Sequence, residues 1–470
     1  MAADIAKKST PALLGRSSGA AAVAFLASAA SVLHAQDLGM KAPPQSRPIA
    51  IVGATVHPVS GPRLSNAHVA FDKGVITSVG AGSPPPIENL EVIDGTGLHV
   101  YPGLISPMTE IGLTEIASLR PPRDFDEVGD VTPEARAAVA INPDSTYIPV
   151  TRAAGILTFA AFPSGGLVPG QPSLLSMDGW TWEDMTIEPS LGVILNWPMM
   201  RPVTAWWMDR SEQDQWKDIR QQLERIDQVF DAAEAYHRAR RVEPTTPVDL
   251  RWEAMSIVLP PPAGEQSGKG DEQAARTQRP VFILADDMDQ IRASVTWAAA
   301  RGLRVVVVGG RDAARASDVL KEHRVPVIIE GTHVVPRRAD EPYDARYTLP
   351  SELEAAGVSW CMASADRTAH ERNLAYNAGT AVAFGLSPEA ALRSVTLSSA
   401  EILGVADRLG SLDAGKQATL IVTTGDPLEV TSNVVRAFIQ GRQIDLTSKQ
   451  TVLRDKYLER YRQTGQLRPR

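Results

Sequence analysis

The sequence predicts an α/β protein in which a long body of alternating strands and helices is framed by β-structure drawn from both ends of the chain. Three observations carry this. From Pro48 to about Val100, short β-branched segments (Ile49 to Val56, Ala67 to Phe71, Val75 to Val79, Glu91 to Ile93) are punctuated by Gly, Pro, Asn and Asp. From there to about residue 405, apolar runs of strand length alternate with helical periodicity, the pattern of parallel β/α architecture. Near the end, Thr419 to Thr423 and Val435 to Ile439 return to the character of the first segments.

Size and charge agree with that class. At 470 residues and 43% hydrophobic, the chain can bury one large core plus a smaller domain. Its formal net charge is −8 and it has no Lys/Arg-rich run, so neither a nucleic-acid partner nor an anionic membrane surface is expected. The single cysteine, Cys361, excludes an internal disulfide and reads as a buried thiol. At the start, Lys7, Lys8 and Arg16 precede an apolar run from Ala20 to Leu33 and then Ala35-Gln36, the layout of a signal peptide over residues 1–35. That run is shorter than the roughly 20 apolar residues a spanning helix needs, so no stable membrane anchor is expected. The mature protein reads as exported, periplasmic or secreted.

Taken in order, the short strands of 48–100 cannot close a core alone, and pairing with those of 406–445 would cover their apolar edges. The two ends are expected to form one composite domain. Within 101–405, Gly155 to Ala161, Val193 to Leu195, Val281 to Ala285, Leu303 to Val308, Val325 to Ile329 and Val358 to Ala363 read as buried strands. The longest helix starts at the cap Ser211 and carries an apolar stripe of Trp216, Ile219, Leu223, Ile226, Phe230 and Ala233 that ends at His237, so His237 reads as packing. Ser164 to Ser173 is glycine-rich but lacks the Gly-Lys-Ser/Thr end of a phosphate loop, and reads as a tight strand-to-helix connection. Trp180, Trp182, Trp197, Trp206 and Trp207 read as core filling. Residues 260–279 are rich in Pro, Gly and charge without a period and read as a mobile insertion, and 446–470 as a C-terminal helix.

The β-rich start meets the α/β body at Val100-Tyr-Pro-Gly-Leu-Ile-Ser-Pro-Met-Thr-Glu110. Its Pro102-Gly103-Leu104-Ile105 resembles the junction of the amidohydrolase superfamily, where Pro-Gly-Leu-Ile-Asp-x-His-x-His leads from a small sandwich into a metal-binding barrel. Leu409 to Val422, followed by Gly425-Asp-Pro427, resembles the closing strand of that sandwich. Glu371 to Leu386 and Ala390 to Gly404 resemble the imidazolonepropionase-like branch, and the likeness runs from about residue 50 to 445. It implies a (β/α)8 TIM-like barrel over 101–405 with a composite β-sandwich formed by 48–100 and 406–445. It also implies hydrolysis of C–N bonds in non-peptide or small substrates, with zinc or another divalent metal at the C-terminal strand ends.

At the positions where the resemblance would place that chemistry, this chain carries other residues. Ser106 stands for the aspartate, Met108 and Glu110 for the two histidines, Leu284 for the fifth-strand ligand and Gly309 for the sixth. The base aspartate would fall at Ala365, one before Asp366. No cofactor is therefore expected. Glu110, Asp286, Asp366 and His370 fall at or just beyond strand ends and are the candidates for acid/base work or an atypical metal site. His333 is a weaker one, while His57, His68 and His99 read as structural. Three functions stay open: a hydrolase with non-standard ligands, a catalytically silent protein that binds a small molecule in the cleft, and a structural envelope protein. The second could also pair with a related active hydrolase or with itself. A purely structural envelope role has no repeat or adhesive signature behind it. The export reading predicts an intact mass lacking residues 1–35; a mature envelope protein that keeps them would refute it.

Overall fold

The structure, a computed structural model, describes residues 39–204, 207–261, 278–364 and 368–466. The expected signal segment, Trp206 and most of the expected 260–279 insertion lie outside the described residues. The two ends of the chain share one eight-stranded sheet. Ile49–Val56 pairs antiparallel with Leu64–Asp72, which pairs with Val75–Ala81. Its other edge runs parallel to Glu91–Asp94 and then to His99–Pro102. His99–Pro102 in turn pairs antiparallel with Leu420–Thr423, and Val434–Ile439 and Arg442–Gln443 complete the order. Apolar side chains from both ends meet beneath: Ile51, Val56 and Phe71 with Leu420, Val422 and Phe438. The rings of Phe71 and Phe438 pack edge to face at 5.1 Å. Beside the seam, His57 Nε2 lies 3.1 Å from His99 Nδ1 and its ring stacks on Tyr101 at 4.1 Å.

From Leu104 the chain enters the α/β body. Leu104–Thr109 and Ile156–Ala161 are parallel, and Val193–Asn196, Val281–Ala285, Val305–Gly309, Val327–Ile329 and Trp360–Met362 form a second, wholly parallel sheet. Between them, Ser164 to Ser173 is not the strand-to-helix connection expected from its glycines. Gly165 and Gly166 adopt φ of 86° and 60°, the chain doubles back, and Ser173–Ser176 pairs antiparallel with Ile156–Ala161 and then with Thr186–Glu188. The expected succession of parallel strand–helix units is interrupted there by a hairpin.

Backbone bonds from Leu191, Ile194 and Asn196 to the carbonyls of Pro172, Gly170 and Leu167 join the two sheets, and Trp360–Met362 returns beside Leu104–Thr109. Alternate residues of the strands then face a common interior. Ile105, Ala160, Leu174, Ile194, Phe282, Val306, Ile328 and Cys361 belong to one buried cluster. Their neighbours, such as Leu104, Phe159, Leu175, Ile283 and Val307, pack outward against the helices in another. This two-sided burial is that of a barrel whose centre is filled by side chains.

The helix Glu212–Val242 starts where the sequence placed it, Ser211 Oγ accepting from the Asp214 N–H, and buries Ile219, Ile226, Phe230 and Ala233. His237 Nε2 is bonded to the Trp252 carbonyl at 2.7 Å, a structural role. The tryptophans divide: Trp197 is buried and Trp182 packs against the core, but Trp180 and Trp207 sit on surface turns and are 63% and 59% exposed. The C-terminal helix Lys449–Gln463 buries none of its residues. Among the described residues, no helix is long and apolar enough to cross a membrane.

Deleting the chain from residue 406 onward removes the strands on one side of His99–Pro102, and the product should aggregate; a soluble fragment with a cooperative melt would contradict the shared sheet. Phe438→Ala should cost about 3–5 kcal/mol in denaturant unfolding, and a loss within error would show that the ring is not part of the core. Burial, then the neighbouring His99 and Arg63 charges, lower the His57 pKa from 6.5 to about 4. The unfolded imidazole takes up a proton that the folded one refuses, so stability should fall as the pH drops from 6.5 towards 4. His57→Gln should flatten that part of the stability–pH curve; an unaltered slope would refute the assignment.

Candidate functional site

Groups that act on ligands in a parallel β/α barrel sit at the C-terminal ends of its strands. At that end lies a pocket of ≈380 Å³ with Trp197, Leu284 and Val308 as apolar wall and Asp286, Asp287, Glu330, Arg311 and Arg337 as polar lining. A larger cavity of ≈780 Å³ opens at the opposite ends of the same strands, beside Arg304, Pro326 and Ser359.

Local sequence explains how each polar group reaches the mouth. Asp286 directly follows Val281–Ala285, and its N–H and that of Asp287 both donate to Gln290 Oε1 at 3.1 Å, fixing the turn into the helix Met288–Ala300. Gln290 also donates to the Trp197 carbonyl at 3.1 Å, which ties the aromatic wall to this turn. After Val305–Gly309, the Gly310 N–H bonds the Ala285 carbonyl and the Asp312 N–H bonds that of Asp286, each at 2.9 Å, so Arg311 is laid alongside the carboxylate. Glu330 follows Val327–Ile329, and Arg337 and Arg338 come from the loop beyond it.

The result is a network of guanidinium and carboxylate groups. Arg311 Nη2 donates to Asp286 Oδ2 at 3.0 Å, and Arg337 Nη1 approaches the same oxygen at 3.4 Å. Arg337 Nη2 is 3.5 Å from Glu330. Arg338 grips Asp312 with two bonds of 2.6 and 2.8 Å. Burial would raise the Asp312 pKa, but the Arg338 fork outweighs it and holds the carboxyl below its usual range. Arg346, its side chain 3% exposed, lies 3.7 Å from Glu330. Burial and then the neighbouring Arg311 charge lower its pKa.

Gly309 decides the shape of the mouth. Its φ is +100°, and a Cβ built there would lie 2.6 Å from Asp286 Oδ1. The Asp286 carboxylate therefore fills the space that a side chain at 309 would need. Leu284 packs against the barrel interior and forms part of the pocket wall, while Met108 is fully buried in that interior and Ser106 Oγ donates to its carbonyl at 3.5 Å.

Of the four candidate residues, Asp286 lines this pocket. Glu110 is partly buried beyond the strand Leu104–Thr109, its carbonyl accepting from Leu113 and Thr114, and does not line it. His370 is exposed at the start of a short 3-10 turn, also away from the pocket lining. Asp366 lies outside the described residues. His333 is engaged with Asn377 and Thr380 instead. Sequence reasoning missed Glu330, Arg311 and Arg337, although Glu330 follows its apolar strand as directly as Asp286 does and Arg311 follows its own by two residues. Among the described residues, no group of three or more His, Cys, Asp or Glu is placed to hold a metal ion.

With this geometry in hand, the chain can be set beside known proteins. The model of the amidohydrolase family matches residues 284–444, about a third of the chain, a stretch that contains Asp286, Arg311, Glu330 and Arg337 and runs on into the closing strands of the shared sheet. The amidohydrolase tasK of Hapsidospora irregularis is 24% identical over 415 residues, which cover 79% of this chain. The chain spans 39% of the length of that relative. A solved amidohydrolase from Thermotoga maritima superposes with a TM-score of 0.72 at 24% identity, over 84% of this chain and 99% of its own. A solved molinate hydrolase gives 0.50 at 14% identity, over 87% and 96%. The shared barrel architecture and the family match together support the amidohydrolase superfamily.

Proposed function

We propose that this chain is an exported amidohydrolase-superfamily protein, of the imidazolonepropionase-like branch, that binds a small molecule at the barrel mouth without a metal centre. One observation carries the reading: Asp286 occupies the space above Gly309, and Arg311 holds it there at 3.0 Å. A catalytic zinc takes three protein ligands as a rule. Leu284 and Gly309 offer no side-chain donor, and the Met108 thioether is a soft ligand enclosed in the apolar interior. The carboxylates that are present face guanidinium groups, which compete with a metal cation for the same oxygens. This donor set does not fit the metal that the fold implies.

What the mouth offers a ligand is a pocket with an apolar wall and a polar side carrying both signs of charge, the usual composition of a small-molecule site. The family match and the names of the relatives favour a second reading, a C–N hydrolase with a rebuilt site.

Elemental analysis separates the two readings. Protein purified without chelator should carry no stoichiometric transition metal, and its melting temperature should not respond to zinc. One or two equivalents of metal, released by Asp286→Ala or Glu110→Ala, would establish the rebuilt hydrolase instead. Gly309→Ala should destabilise the fold by about 1–3 kcal/mol, since a β-carbon there is strained and displaces the carboxylate. Unchanged stability in denaturant would remove the observation on which the proposal stands.

A further inference from the structure

Three helices of the body end at the face opposite the mouth, and they end on different residues. Met288–Ala300 and Ala345–Ala356 are followed by Gly302 and Gly357 at φ of 67° and 70°, a left-handed conformation that glycine adopts without steric penalty. Ser317–Glu322 turns off in the same way at φ of 53°, but the residue there is Arg324. A side chain in that conformation is strained, and strain of this kind gathers at functional positions. The Arg324 side chain lines the cavity of ≈780 Å³ at this face.

Arg304 lines the same cavity from the adjacent strand. It directly precedes Val305–Gly309, and Arg324 comes three residues before Val327–Ile329, so the two stand at the entries of neighbouring parallel strands. Among the described residues neither is paired with a carboxylate. Arg304 Nη1 donates to the Gln278 carbonyl at 2.7 Å, and desolvation and then the Arg279 charge lower its pKa with no carboxylate to offset them. The two carboxylates of the lining are engaged elsewhere: Glu401 takes bonds of 2.7 and 2.8 Å from Arg393, and Glu354 takes one of 3.0 Å from Trp360 Nε1. With the Arg393–Glu401 pair neutralised, two guanidinium groups face one carboxylate, and His323 and the Ser359 hydroxyl stand beside them. Further in, the wall is apolar: Val306 belongs to the buried barrel cluster, Ile402 packs against it, and Trp360 is 4% exposed.

We propose that this cavity is a second ligand site, for a small amphipathic oxyanion: a carboxylate or phosphate monoester carried on an apolar tail. The head lies between Arg304 and Arg324, whose N–H forks match oxyanions through charge-assisted bonds, and the Ser359 hydroxyl adds a donor. The tail runs inward along Val306, Val325, Trp360 and Ile402. The volume lies in the range of small-molecule sites, roughly 300–1,000 Å³. A cation would meet two guanidinium groups, and a bare inorganic anion would leave the apolar wall uncovered. The filled barrel interior separates this cavity from the mouth, so the inference does not depend on whether the mouth holds a metal.

The test is a calorimetric titration of the purified full chain with octanoate and with octyl phosphate, using octan-1-ol and acetate as controls that carry the tail or the head alone. One of the two amphiphiles should bind with a stoichiometry of about one and at least tenfold more tightly than either control, and the tighter of them identifies the head group. Arg304→Ala and Arg324→Gly should each weaken that binding at least tenfold. Arg324→Gly places glycine where φ is 53°, so its melting temperature should hold or rise while the ligand is lost, and it decides the question if Arg304→Ala does not fold. Octan-1-ol binding as tightly as the amphiphiles, affinities unchanged in a folded variant, or no binding of either amphiphile would overturn the inference.

Discussion

The pairing of Leu420–Thr423 with His99–Pro102 is the constraint on which the rest of the structure depends. It joins two stretches more than 300 residues apart, and the whole α/β body is a loop closed between them. Closing so long a loop is unfavourable in entropy, though only logarithmically in its length, so a few well-buried strands can hold it. The apolar cluster beneath the sheet supplies that burial, with Phe71 from one end packed on Phe438 from the other. Gly103 lies at the exit of this seam: a Cβ there would come within 2.8 Å of Leu157, so the turn from the sheet into the first barrel strand needs a residue without a side chain.

Inside the body, the strand period of two divides the side chains between helices and barrel centre. Because the centre is filled by Ile, Leu, Val, Phe and Met side chains, polar groups gather where strands end and water begins. Even there the carboxylates are opposed by arginines, and the turn after Gly309 brings one of those arginines to Asp286. Chemistry at the mouth is thus set by which residue follows each strand and by how sharply the backbone turns there.

Much of the α/β body was legible in the sequence for a simple reason. Val281 to Ala285, Leu303 to Val308 and Val325 to Ile329 are runs of apolar residues, mostly β-branched, too short for helices, and burial on both faces demands that composition. The cap at Ser211 was readable because a hydroxyl before an apolar stripe has a local partner, the Asp214 N–H. The hairpin at Ser173–Ser176 was not readable: its glycines fit a turn to a helix as well as a turn back to a strand, and the choice depends on the free edge of Ile156–Ala161. Trp180 and Trp207 misled because bulk alone does not tell a core position from a surface turn.

At the site, the sequence by itself determined the strand ends and which residues, Leu284 and Gly309 among them, stand there, since residue identity is local information. It placed Asp286 at the mouth for the same reason. Tertiary structure alone decided what Asp286 does there. Its partners Arg311 and Arg337 lie 25 and 51 positions away, and Gly309, which makes room for it, lies on the neighbouring strand. Ion pairs between side chains carry no periodicity along a chain; they exist once parallel strands set their ends side by side, a few ångströms apart.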